Sequence, residues 1–132
     1  MDDVIFLGDL MMHRKPYPRV LLALKEVIDY ACGYSNVTII RGNHDSENKS
    51  DDGVTALSLF ASDKVNVVTQ TWYDYKTKRA FIPHYEDEDR IKKDLAATPR
   101  GYAVFGHFGY CGSLNSGGDS DFSLSLDDFY NT

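Results

Sequence analysis

The chain has 132 residues and a formal net charge of −6, from 14 Lys and Arg against 20 Asp and Glu. That length suits one domain with its own core, and 42% hydrophobic with 26% charged residues excludes a disordered chain. The acidic balance excludes a passive DNA-binding module working through a basic face, but not a nuclease, whose bound divalent cations offset acidic charge at the site.

Val4-Ile5-Phe6-Leu7 is a short apolar run that stops at Gly8-Asp9, the pattern of a buried strand. After Pro16 and Pro18, the segment Arg19 to Cys32 places Val20, Leu21, Leu24, Val27, Ile28 and Ala31 at helical spacing, and Gly33 follows where a C-cap belongs. Val37-Thr38-Ile39-Ile40 is a second apolar strand and runs into Arg41-Gly42-Asn43-His44. Strand, helix and strand joined by short links predict a parallel pair. Ser46 to Gly53 is a polar loop, Val54 to Phe60 a short helix and Val65 to Val68 a third strand. Thr71 to Tyr75 and Arg79 to Ile82 form a hairpin around Lys76-Thr77-Lys78. Glu86 to Ala97 is a helix with an acidic first turn, closed by Pro99-Arg100-Gly101. Tyr102 to Phe105 is a further strand and stops at Gly106-His107. Residues 112–120, rich in Gly, Ser and Asn, predict a mobile loop. No repeat or linker divides residues 1–132, so they form one domain. Cys32 and Cys111 lie outside any CxxC pattern, and no apolar run reaches the length of a membrane span. Reduced thiols, no signal peptide and a cytoplasmic location are the expectation.

Three apolar strands thus end alike, each in Gly followed by a metal-type side chain: Gly8-Asp9, Gly42-Asn43-His44 and Gly106-His107. In open α/β sheets the carboxyl ends of the strands form one rim where ligands bind, so the three ends can converge despite their sequence separation. Asp9 can bridge two cations, Asn43 offers a neutral carbonyl oxygen and His107 an imidazole nitrogen, a mixed set that suits Mn, Fe or Zn. His44 is then free to stabilise phosphoryl charge or protonate a leaving oxygen. Asp45 can orient that imidazole or cap the turn that follows. Gly-Asp and Gly-His alone say little. Gly-Asn-His-Asp specifies four residues and would arise by chance in about one chain in a few thousand of this length.

With these motifs the chain resembles the calcineurin-like metallophosphoesterases, whose second motif is Gly-Asp and whose third is Gly-Asn-His-Asp or Gly-Asn-His-Glu. Within that superfamily it is most similar to SbcD-type recombination nucleases and their phage versions, through Gly8-Asp9-Leu10, Phe81-Ile82-Pro83 and Phe105-Gly106-His107-Phe108. The resemblance implies an α/β sandwich of two mixed sheets flanked by helices. It also implies Asp9, Asn43 and His107 as metal ligands, His44 and Asp45 as catalytic residues, and divalent ions, Mn2+ foremost, two in the family. The implied reaction is phosphodiester hydrolysis on DNA ends, beside an ATPase partner subunit. A small-molecule phosphoesterase and a catalytically impaired binding or assembly module are the rival readings.

Two family motifs are missing. Asp-x-His has no counterpart, and Gly109 stands where the second His of Gly-His-x-His would fall if His107 were the first. Met12 replaces an acidic residue. We therefore read His107 as the family's single-His motif, with the last motif beyond Thr132, one metal pocket nearly lined and the other nearly empty. The corresponding expectation is an incomplete sandwich, truncated at both ends, whose open sheet edge pairs with a complementary fragment or a second copy.

Several polar residues have plainer readings. His84, in Pro83-His84-Tyr85, is an alternative to His107 as a ligand but is left outside the ligand set. His13 is an exposed loop residue, and Glu86 to Asp89 a solvated helix start. Tyr73 and Tyr75, alternate residues of one strand, form a packed face rather than a base-stacking platform.

Overall fold

The computed structural model describes residues 2–111, 113–115, 118–119 and 122–129. Strand β1 is Asp3–Phe6, helix α1 Pro18–Cys32, β2 Asn36–Ile40 and β3 Val65–Val68. The three strands form one sheet in the order β1-β2-β3, parallel throughout. Strands β4 (Trp72–Asp74), β5 (Arg79–Ile82) and β6 (Ala103–Gly106) form a second. There β4 and β5 are an antiparallel hairpin, while β5 and β6 run parallel because helix α2, Glu88–Ala97, connects them.

Side-chain alternation stacks these elements into four layers. Val4 and Phe6, Val37 and Ile39, and Val65 and Val67 all pack toward Leu24 and Ile28 of α1. The residues between them on the strands point the other way: Ile5, Ile40 and Val68 meet Phe81 and Phe105 of the second sheet. On that sheet's far face, Ile82 and Val104 pack on Ile91 and Leu95 of α2. The order is helix, sheet, sheet, helix, the α/β sandwich expected from the sequence. Each fully buried Leu or Ile in these layers contributes about 1.5–3 kcal/mol. In register across β4, β5 and β6, Trp72, Phe81 and Phe105 stack with centroids 5.1 and 5.4 Å apart. Arg79, at the start of β5, bonds Asp3 at the start of β1 (2.7 Å), tying the sheets together at their amino-terminal ends.

The departures from expectation are local. The buried stripe of α1 is narrower than its apolar pattern, because Val20 and Val27 lie on its flank and stay exposed. Gly33 ends α1 without a left-handed conformation, at φ −65°; the Gly33 amide donates to Tyr30 O and the Ser35 amide to Ala31 O. The short helix before β3 is a 3-10 turn, Ala56–Phe60, capped by Thr55. Helix α2 starts two residues late, because Asp87 caps it by accepting from the Asp89 amide. Tyr73 packs inward and donates its hydroxyl to Asp94 O, but Tyr75 lies past the end of β4 and is 70% exposed, so the expected packed face holds for Tyr73 alone. The expected loop at 112–120 lies partly outside the described residues. Within it β7, Leu114–Asn115, pairs antiparallel with β8, Gly118–Asp119.

Candidate metal and catalytic site

Four strand ends meet at one rim. Leaving β1, Gly8 has φ +95° and Asp9 φ +52°, two successive left-handed residues that turn the Asp9 carboxylate back toward β2. Gly42, leaving β2, lies against Asp9: a Cβ there would fall well inside van der Waals contact of Asp9 N and Oδ1. Gly8 is bare for a similar reason, because the His107 ring occupies the space its side chain would need. Between the sheets the His84 amide donates to Arg41 O (2.9 Å), and within the second sheet the His107 amide donates to Ile82 O (3.3 Å). The buried Arg41 guanidinium donates to His84 O (2.8 Å) and to Ser46 Oγ, so the ends of β2 and β5 are held together from both directions. Burial pushes the Arg41 pKa down, against the opposing pull of Asp51.

At this rim His107 Nδ1 donates to Leu7 O (2.7 Å). A carbonyl accepts only, so the proton sits on Nδ1 and Nε2 presents a lone pair. Nε2 lies 3.4 Å from Asp9 Oδ2. The Asn43 amide fits between them with its nitrogen 3.1 Å from Asp9 Oδ1, 3.0 Å from Oδ2 and 3.1 Å from His107 Nε2. Three lone-pair acceptors thus converge on one donor, which is the arrangement a cation needs. Turning the Asn43 amide over presents its carbonyl oxygen at the same point. An N/O/O donor set of this kind fits Mn, Fe or Zn.

The structure brings Asp9, Asn43, His44 and His107 together, as their motifs predicted. His44 Nδ1 is 3.2 Å from Asp9 Oδ2, and the His44 amide donates to Asp9 Oδ1 (3.0 Å). Asp45 is beside them in sequence but has other partners. It is 1% exposed and accepts from the Met11 amide (3.0 Å) and the Gly42 amide (2.8 Å), bracing the β1 loop against the β2 loop. These bonds go neither to the His44 imidazole nor to the turn that follows, the two roles open to it; they are those of a loop brace. Burial raises its pKa, against the backbone donors that lower it.

His84 is the residue that sequence reasoning left outside the set. It follows β5 just as His107 follows β6, and the two imidazole centroids are 6.3 Å apart. Its Nε2 is buried without a hydrogen-bond partner, 3.5 Å from Glu86 Oε1. Desolvation holds its pKa below the ordinary imidazole value, which favours the neutral form that a metal ligand requires. The signal in the sequence was a fourth strand ending in a metal-type residue, with Pro83 in place of glycine. Among the described residues no three His, Cys, Asp or Glu side chains form a ready metal cluster, so a centre here depends on the Asn43 carbonyl as well. A cleft of about 740 Å3 opens over these groups, lined by Asn43, His44, His84 and His107 and rimmed by Arg14 and Lys49.

The profile of the calcineurin-like phosphoesterase family matches residues 2–130. The chain belongs to that family. A search of curated proteins finds no match. Calcineurin-like phosphoesterases are metal-dependent phosphoester hydrolases that use divalent ions, and this chain's paired sheets, flanking helices and rim of donors conform to that pattern. Among the described residues no helix is long and apolar enough to cross a membrane.

Proposed function

We propose that this calcineurin-like phosphoesterase hydrolyses phosphodiesters of the DNA type, using one Mn2+ held by Asp9, Asn43, His84 and His107. The supporting observation is that Asp9 Oδ1, Asp9 Oδ2 and His107 Nε2 all lie within 3.1 Å of one terminal atom of the Asn43 amide, a side chain that lines the cleft. When bound, such an ion polarises a phosphoryl oxygen and lowers the pKa of water.

The chain's own groups divide the remaining work. His107 is fixed in the ligating tautomer by its bond to Leu7 O. Asp9 Oδ2 engages His44 Nδ1 and so leaves His44 Nε2 as the nitrogen that donates a proton to the leaving oxygen. Lys49 and Arg14, the latter paired with Glu86, line the cleft, where a cation can meet the flanking phosphate of a polyanion. Asp45 acts through the loops it braces, as a positioning residue.

His44→Ala tests this directly. It is expected to lower turnover of bis(p-nitrophenyl) phosphate and of single-stranded DNA by about 10²- to 10⁴-fold, with Mn2+ affinity nearly unchanged. Equal turnover in wild type and variant would sink the assignment. Hydrolysis of sugar phosphates in preference to both substrates would favour a small-molecule phosphoesterase.

A further inference from the structure

Gly109 is two residues beyond His107, where a motif of the Gly-His-x-His kind would place a second imidazole. The Phe122 ring occupies the space that any side chain at 109 would need. The Phe108 ring lies in the same manner on Gly106. Both phenylalanines line the cleft that contains Asn43, His44, His84 and His107. The cleft therefore combines a set of polar donors with two aromatic rings. Two residues of chain span at most about 7 Å, so this aromatic wall begins immediately beside His107.

Phe122 is held in place although the residue is 39% exposed. The next residue, Ser123, bonds Glu88 Oε2 through its amide (2.7 Å) and its hydroxyl. Leu124 is buried against Ile91 and Leu95, and its carbonyl accepts from the Cys111 amide (2.6 Å). A fixed, solvent-facing ring beside a phosphate-type site contributes little to the core and offers a stacking surface to a ligand. We propose that the Phe122 wall stacks the nucleobase attached to a phosphate bound beside His107, so that the substrate is a nucleotide ester recognised at one base. The proposal rests on the phosphodiester reading above. Stacking on an aromatic side chain discriminates weakly among bases, because each has a π face. The prediction is a requirement for a base rather than for a particular sequence.

The experiment is calorimetric titration of the Mn2+-loaded chain with dAMP and with 2-deoxyribose 5-phosphate, which shares the phosphate and sugar but has no base. Wild type is expected to bind dAMP about tenfold or more tightly, as stacking of one base on one ring provides. Phe122→Ala should reduce dAMP to the affinity of the sugar phosphate without weakening the latter, and Phe122→Trp should keep the preference. Equal affinities in wild type, a preference that survives Phe122→Ala, or no binding of either ligand would each overturn the proposal. Turnover of bis(p-nitrophenyl) phosphate, measured in parallel, keeps the two readings apart. Turnover without a base preference removes the stacking wall alone, and a base preference without turnover removes the hydrolytic reading alone.

Discussion

Asp9→Ala is expected to abolish Mn2+ binding and reduce phosphodiester hydrolysis at least about 10³-fold, because several kcal/mol of charge stabilisation would be lost with the ion. The fold should survive. Asp9 is partly exposed, and among the described residues its carboxylate accepts only from groups of the site: the His44 amide, His44 Nδ1 and the Asn43 amide. Its φ of +52° suits alanine less well than aspartate, so a small loss of thermal stability is expected beside the loss of metal. Asn tolerates that backbone conformation and keeps the side chain's shape, so Asp9→Asn isolates the charge. Both variants should melt cooperatively and both should fail to bind Mn2+. Undiminished binding in Asp9→Asn would remove Asp9 from the centre.

Gly42→Ala should be the most damaging methyl group that can be added to the rim. The backbone there is not left-handed, so the penalty comes from space alone. The new Cβ would strike Asp9 N and Oδ1 and come within 3.1 Å of Asp45 Oδ2. Two of these atoms belong to backbone or to a buried, doubly bonded carboxylate and cannot move aside cheaply. Overpacking of this kind costs about 1–3 kcal/mol, and here it also displaces Asp9 from Asn43. A parallel loss of thermal stability and Mn2+ affinity is expected. Gly101→Ala is the control. Gly101 has φ +83° and nothing within 4 Å of a Cβ, so that change should cost about 1 kcal/mol and leave metal affinity untouched. Retained affinity in Gly42→Ala would show that the two loops do not depend on this contact.

What the sequence made legible was local. Apolar runs of four or five residues stopping at Gly8, Gly42 and Gly106 marked three strand ends, and backbone chemistry explains the glycines: each is a point where another loop or ring lies against the main chain. His84 was harder to place. Its approach to His107 depends on the parallel pairing of β5 with β6 and on the Arg41–His84 bonds between sheets, contacts made across 24 to 43 residues of sequence. Proline rather than glycine precedes it, so the repeated pattern that flagged the others was absent. The role of Asp45 was ambiguous for a similar reason: its partner Met11 lies 34 residues away. Aromatic residues were read as packing, which describes the Trp72, Phe81 and Phe105 stack but not Phe122, whose exposure follows from the anchoring of Ser123 and Leu124 on α2. The apolar pattern of α1 overstated its buried stripe, since periodicity marks a face without giving the width of the sheet beneath it.

The central claim is a single metal centre built from Asp9, Asn43, His84 and His107. Mn2+ titration by calorimetry on wild type, Asn43→Ala and His84→Ala tests it most directly. One ion per wild-type chain, with affinity weakened about tenfold or more in both variants as for other lost metal ligands and their supports, is the predicted result. No binding by wild type, or binding that neither variant weakens, would contradict it.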